Sequence, residues 1–159
     1  MAMKKKLAAA VLVLALVFAV VLFGGFNDDE EYTPAADEIV LHIRMDTKED
    51  VGLLVFDYQA AGGKFSGGIS NADKSLIKRD SDNIVVWTKQ ELDASSDSIE
   101  VSMQLRVITE YAQPNFENVY PEDITRYIEP LSWEAQFGKE YYITVTGDKT
   151  NGYRAETDM

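Results

Sequence analysis

Apolar and polar residues alternate with a period of two along most of the chain beyond residue 37. Between Ser98 and Tyr111, Ile99, Val101, Met103, Leu105 and Val107 alternate with Glu100, Ser102, Gln104 and Arg106. Successive side chains of a strand point to opposite faces, so this run predicts a strand with one apolar and one wet face. Ile39, Leu41, Ile43 and Met45 repeat the pattern around Val40, His42 and Arg44. Tyr141, Ile143 and Val145 repeat it around Tyr142, Thr144 and Thr146. Val51 to Tyr58 is nearly continuously apolar, which predicts a central strand buried on both faces. Asn83 to Thr88 and Tyr153 to Thr157 add two shorter strands.

Turn chemistry falls between these runs, at Ala61-Gly62-Gly63, Gly67-Gly68, Asp80-Ser81-Asp82, Asp93 to Asp97 and Gly147 to Gly152. The expected fold class is therefore all-β, an antiparallel β-sandwich of about seven strands over residues 38–159. Helix is sparse there. Pro121-Glu122-Asp123 can open one short helix that ends near Tyr127 before Pro130, and a loop followed by a strand fits the same residues nearly as well.

The first 26 residues follow a different pattern. Lys4, Lys5 and Lys6 precede an uncharged apolar stretch from Leu7 to Phe26. As a helix this stretch is ~30 Å long, the thickness of a bilayer's hydrocarbon core. The Lys cluster would hold the N-terminus in the cytoplasm and place the rest outside. An uncleaved signal anchor is preferred over a cleaved signal peptide. The stretch is longer than a typical signal core, and no small-x-small site follows it directly. Residues 27–37, with Asp28, Asp29, Glu30 and Glu31, read as an acidic stalk.

Charge and composition then remove several function classes. The chain carries 15 Lys+Arg against 27 Asp+Glu, net −12 at pH 7. That balance opposes binding to nucleic acid, whose phosphates it would repel. The absence of cysteine excludes disulfides, thiolate metal sites and a thiol nucleophile. One histidine, His42, leaves no multi-histidine metal site.

Leu131-Ser-Trp133-Glu-Ala135-Gln-Phe137-Gly138-Lys-Glu-Tyr141-Tyr-Ile143-Thr-Val145-Thr-Gly147 resembles the late E–F strand pair of immunoglobulin-like and fibronectin-type-III-like sandwiches. The resemblance covers about 17 residues and lacks the Cys…Trp…Cys hallmark of antibody domains. It implies that Tyr141 or Tyr142 bonds back across the corner between two strands, and it implies no active site.

Candidate chemistry is thin. Gly63 to Ser70 has the two-glycine spacing of a phosphate loop, but Ile69 stands where the gripping lysine is required. Ser75-Leu76-Ile77-Lys78 fits Ser-x-x-Lys without its companion elements. His42, as a catalytic base, would need a serine and an acid; its place on a wet strand face reads as a surface histidine. Asp46 to Asp50 and Asp80 to Asn83 could be calcium loops. Neither has the full ligand spacing, and Lys48 would repel the ion, so solvated turns are preferred and no cofactor is expected.

The best surface is aromatic. Tyr111, Phe116, Tyr120, Tyr127 and Trp133, with Arg126, lie in or beside a long loop region, residues 111–133. Rings next to amides and charges suit peptide or carbohydrate contact; a loop this long would also use rings to pack onto the sandwich. The expectation is a non-catalytic interaction or structural module of the cell envelope, tethered through residues 7–26 or secreted. Its partner would be an envelope protein. A glycan or small polar ligand on the same loop is the alternative, ahead of an extracytoplasmic hydrolase.

Overall fold

The structure, a computed structural model, describes residues 32–158. The anchor or signal segment (1–26) and the acidic run Asp28 to Glu31 lie outside the described residues. Among the described residues no helix is long and apolar enough to cross a membrane.

The described chain is all-β. Its nine strands are β1 (Glu38–Thr47), β2 (Leu53–Ala60), β3 (Gly63–Ile69), β4 (Asp82–Thr88), β5 (Ser98–Ile108), β6 (Thr125–Tyr127), β7 (Leu131–Gln136), β8 (Lys139–Asp148) and β9 (Gly152–Asp158). They form two sheets. The first has the order β4-β1-β8-β9; the second has the order β3-β2-β5-β6, with β7 also pairing β5.

Alternation places the core between these sheets. Ile39, Leu41, Ile43 and Met45 of β1 share it with Leu54, Phe56 and Tyr58 of β2, Val101, Met103 and Leu105 of β5, and Ile143 and Val145 of β8. Where β3 and β4 close one side, the rings of Phe65, Tyr58 and Trp87 stack in series, with centroids 5.1 and 4.6 Å apart. Each such contact adds about 1 kcal/mol beyond the area it buries.

Three expectations need correction. The sandwich is not wholly antiparallel, because β1 and β8 pair in parallel, Ile39 opposite Lys139 through Thr47 opposite Gly147. A period of two is the same in either direction, so alternation could not show it. The glycines at 67 and 68 do not break a strand, since β3 runs through them against β2. Gly67 is needed there: a Cβ would sit 2.5 Å from the buried Phe56 ring. No helix forms at Pro121; a turn closed by Ile124 N–H to Pro121 O (3.3 Å) leads into β6, the loop-plus-strand alternative.

At the corner between β7 and β8 the chain crosses from the second sheet to the first through Phe137 and Gly138 (φ +80°). The Tyr141 hydroxyl accepts the Gln136 N–H at 2.7 Å, so of the two candidate tyrosines Tyr141 bonds back across the corner.

Candidate functional site

Two parallel ten-residue strands, β1 and β8, give the sandwich two ends. The chain enters at one of them: Gly138 N–H donates to Glu38 O (2.6 Å) and Lys89 N–H to Asp37 O (2.8 Å). The other end lies one strand length away, ~30 Å. It gathers the turns after β1 and β8 and the segment between β5 and β6, tied together by Arg126 Nε donating to Lys149 O at 3.2 Å.

The segment 109–124 does not stand free of the sandwich. It turns back over the outer face of the second sheet and seals a second, smaller apolar cluster. Leu53, Val55 and Ile108 supply the floor; Tyr120, Tyr111, Ala112 and Ile124 supply the cover. Burial pushes the Tyr120 phenol above its ordinary value. The root of the segment is fixed by Thr109 N–H to Ile124 O (2.9 Å) and by Gly52 N–H to Ile108 O (2.8 Å).

Beside this cluster sits a buried cation. Arg106 is 8% exposed. Its guanidinium donates to Asp57 Oδ2 at 2.7 Å and to Asn118 O at 2.8 Å, while its Nε–H has no acceptor. Asp57 also accepts from Ser66 Oγ, which in turn accepts from Asn118 Nδ2. One ion pair thus joins β2, β5, β3 and the tip of the segment.

The tip itself is a turn built by Asn115. Its Oδ1 accepts Glu117 N–H (3.1 Å) and Val119 N–H (3.3 Å), and its Nδ2 donates to Val119 O (3.0 Å). Asn118 takes a left-handed conformation (φ +50°), which asparagine tolerates better than most residues. This geometry presents Phe116 and Val119 outward, 71% and 67% exposed, with Tyr127 of β6 at 63%. These are the most exposed large apolar side chains among the described residues, and all three belong to one stretch of twelve residues.

The six candidates from the sequence therefore part company. Phe116 and Tyr127 are at the surface. Tyr111 and Tyr120 hold the segment down. Trp133 lies in the main core at 5% exposure. Arg126 donates to the carbonyls of Asp123, Thr125 and Lys149, so its charge fastens β6 to the β8–β9 turn. Sequence reasoning missed Val119 and Arg106. Arg106 falls in the polar phase of an alternating strand and so resembled any wet-face residue. The lone Asp57 inside an otherwise apolar run was the available hint of a buried partner.

His42 is not a surface histidine. It is 9% exposed, its ring stacked on Tyr142 at 4.6 Å and its Nδ1 3.0 Å from Asp82 Oδ2. Its Nε2 has no hydrogen-bond partner, so no serine completes a triad. The other motif residues are likewise engaged: Ser75 Oγ donates to Asp73, and Lys78 Nζ to Asp50. The loop carboxylates meet the protein's own donors. Asp148 receives Lys48 Nζ (2.8 Å), Thr150 N–H and Asn151 N–H; Glu49 receives Lys149 N–H and the Tyr153 hydroxyl. Among the described residues no group of three or more His, Asp or Glu could hold a metal ion.

The Lys48 ammonium, followed by the Asn151 side chain and N–H, holds the Asp148 carboxyl well below the usual carboxylate range. Asp50, with Lys78, and Asp97, with Lys89, shift the same way. Such groups stabilise the fold above the unfolded carboxylate pKa of about 4, and that contribution is lost as pH falls through the lower folded values. Urea unfolding measured downward from about pH 5 should show steadily falling stability. Asp148→Asn, which keeps an acceptor for the turn amides, should be less stable at neutral pH and show a shallower acid slope. An unchanged slope would mean that this carboxylate is not linked to folding.

No family model matches the chain, and no curated protein matches it. Among solved structures, the membrane-binding domain of pneumolysin resembles it with a TM-score of 0.39 and 8% sequence identity, over 77% of this chain and 96% of that one. At that level the likeness carries nothing about binding or activity.

Proposed function

We propose that the chain is a non-catalytic interaction module of the cell envelope, displayed outside the membrane, that grips a protein partner with the tip formed by Phe116, Val119 and Tyr127. The observation that carries this reading is the combination of an apolar tip with a fixed base. The outer sheet face is already covered by Tyr111, Tyr120 and Ile124, so the three exposed residues are not needed to seal it. Asn115 and Arg106 hold the turn in one shape, which lowers the ordering cost of binding. Exposed apolar side chains gathered on a fixed surface mark contact sites.

The tip lies against the outer face of the second sheet, beside Arg106 and Ser66. Of the five rings in the aromatic region, Trp133 and Tyr120 are inside, leaving too few for a sugar-stacking platform; a protein partner is therefore preferred to a glycan. The Tyr141 corner supports reading the β7–β8 crossing as immunoglobulin-like.

The test replaces Phe116 and Tyr127 with serine and keeps position 119 for a probe. Surface substitutions of this kind change stability by about 0.5 kcal/mol or less each. A photoreactive side chain at position 119 should capture one discrete envelope protein in intact cells. The same probe at Glu100, on β5 near the opposite end, should not. Substituting Phe116 and Tyr127 should remove the capture while the fold remains. Equal labelling from positions 119 and 100 would refute the reading.

A further inference from the structure

The turn between β8 and β9 is organised by Asp148. Its carboxylate accepts Lys48 Nζ at 2.8 Å, the Thr150 N–H at 2.9 Å and the Asn151 N–H at 2.7 Å. The Asn151 carboxamide adds to this grip, with Nδ2 lying 3.0 Å from each Asp148 oxygen. An ionised carboxylate only accepts hydrogen bonds, so the contact depends on residue 151 being an amide.

The residue that follows makes this amide reactive. Asn151 precedes Gly152, the one Asn-Gly step among the six asparagines of the chain, and no Asp-Gly occurs. A side chain on the following residue hinders attack by its backbone nitrogen on the asparagine Cγ. Asp28, Ala72, Ile84, Phe116 and Val119 follow the other five asparagines. Gly152 has no side chain, and with φ +92° it leaves open space where a Cβ would stand. Lys149, Thr150 and Asn151 are all exposed at the tip of the turn.

We propose that Asn151 is a site of spontaneous covalent modification, its amide being converted to an acid through a cyclic imide. The Gly152 backbone nitrogen gives its proton to solvent and bonds to Asn151 Cγ. The Cγ–Nδ2 bond breaks, and Nδ2 takes a proton from water and leaves as ammonia. Water then adds to one of the two imide carbonyls, that C–N bond breaks, and the nitrogen regains a proton. Opening at one carbonyl gives aspartate; opening at the other gives isoaspartate. Nothing is oxidised or reduced, and the only co-reactant is water. In the closed turn Gly152 pairs with Asp148 in the β8–β9 ladder and the carboxamide is pinned. The step therefore belongs to the opened turn, and exposed loop tips open at small cost.

The product cannot rebuild the turn. A carboxylate at 151 has no N–H to give and stands where Nδ2 met the Asp148 oxygens. Like charges that close repel, and one of the two must take a proton. Isoaspartate also adds a methylene to the backbone between Asp148 and Gly152. Lys149, in the same turn, donates its N–H to Glu49 and accepts Arg126 Nε. The modification therefore loosens the tie between β6 and the β8–β9 turn. Ammonia is lost to solvent, so the change is one-way.

The test holds the full chain, in mild detergent and mildly alkaline buffer, for days and follows each asparagine by peptide mapping and mass spectrometry. Asn151 should convert at least several-fold faster than any other, Asn71 with its small follower Ala72 included, and should give both acids. Urea should speed the conversion at 151 by opening the turn. Asp148→Asn, which weakens the grip on Nδ2, should speed it several-fold while protease resistance is kept. Asn151→Gln keeps an amide but must close a larger ring, and should show no conversion there. Asn151→Asp should speed hydrogen exchange at residues 123–127, and Asn71→Asp should not. Conversion spread evenly over the six asparagines, or none at 151 in the folded chain, would overturn the proposal. So would a rate indifferent to both urea and Asp148→Asn, or unchanged exchange at 123–127 in Asn151→Asp.

Discussion

Gly52→Ala should lower the stability of the domain by about 4 kcal/mol or more, enough to reduce Tm by more than about 10 °C. A Cβ at this position would sit 1.9 Å from Glu110 O, 2.0 Å from the Glu110 carbonyl carbon and 2.5 Å from Tyr111 N. These are backbone atoms, so no side-chain rotation relieves the overlap. Gly52 is also held from both sides, by its N–H to Ile108 O and by the bridge between Val51 and Ile77. The root of segment 109–124 would have to lift, drawing Tyr111 and Tyr120 off Leu53, Val55 and Ile108. Gly62→Ala supplies the control. Gly62 has φ +82° with open space around it, so alanine there adds only left-handed backbone strain, about 1–2 kcal/mol. Urea unfolding compares the two. Equal effects would mean that the segment is not seated on Gly52.

Asp57→Ala should destabilise by about 2–4 kcal/mol, more than Arg106→Met at the other end of the same ion pair. Removing Asp57 leaves the Arg106 guanidinium, whose side chain is 10% exposed, without its carboxylate and with Nε already unpaired. Removing the charge with a side chain of similar length leaves only Asp57, which is 47% exposed and can be hydrated. That exposure also keeps the expected cost below that of a fully buried pair. Both variants cut the link to Asn118 O or its support, so hydrogen exchange at residues 115–120 should speed up in each. If Arg106→Met proves the costlier of the two, the pair owes its effect to the guanidinium's packing rather than to the burial of its charge.

The tip and its support were unequally legible. Phe116 and Tyr127 stand out by residue type alone. Trp133 shares the phase of Leu131, Ala135 and Phe137, an alternation consistent with an inward ring, and the pairing of β7 with β5 places it in the core. Tyr120 and Tyr111 have no periodic signal. Their burial depends on how segment 109–124 folds back, which no local pattern states. His42 follows the same logic. Its alternation correctly puts it on the outer face of β1, yet Asp82 of β4 and Tyr142 of β8 flank it, and those neighbours come from 40 and 100 residues away.

Local patterning alone carries the strand character of the chain, the core face of β1, β5 and β8, and the turns that separate most strands. These follow from side-chain alternation and turn chemistry, which are local and survive any pairing. Long-range pairing sets the parallel run of β1 and β8, the passage of β3 through its glycines, and the closing of a second apolar cluster over the outside of the second sheet. The burial of Arg106 has the same origin. Strand direction, register and the covering of an outer face are relations between distant segments, and a period of two reads the same whichever partner the strand finds.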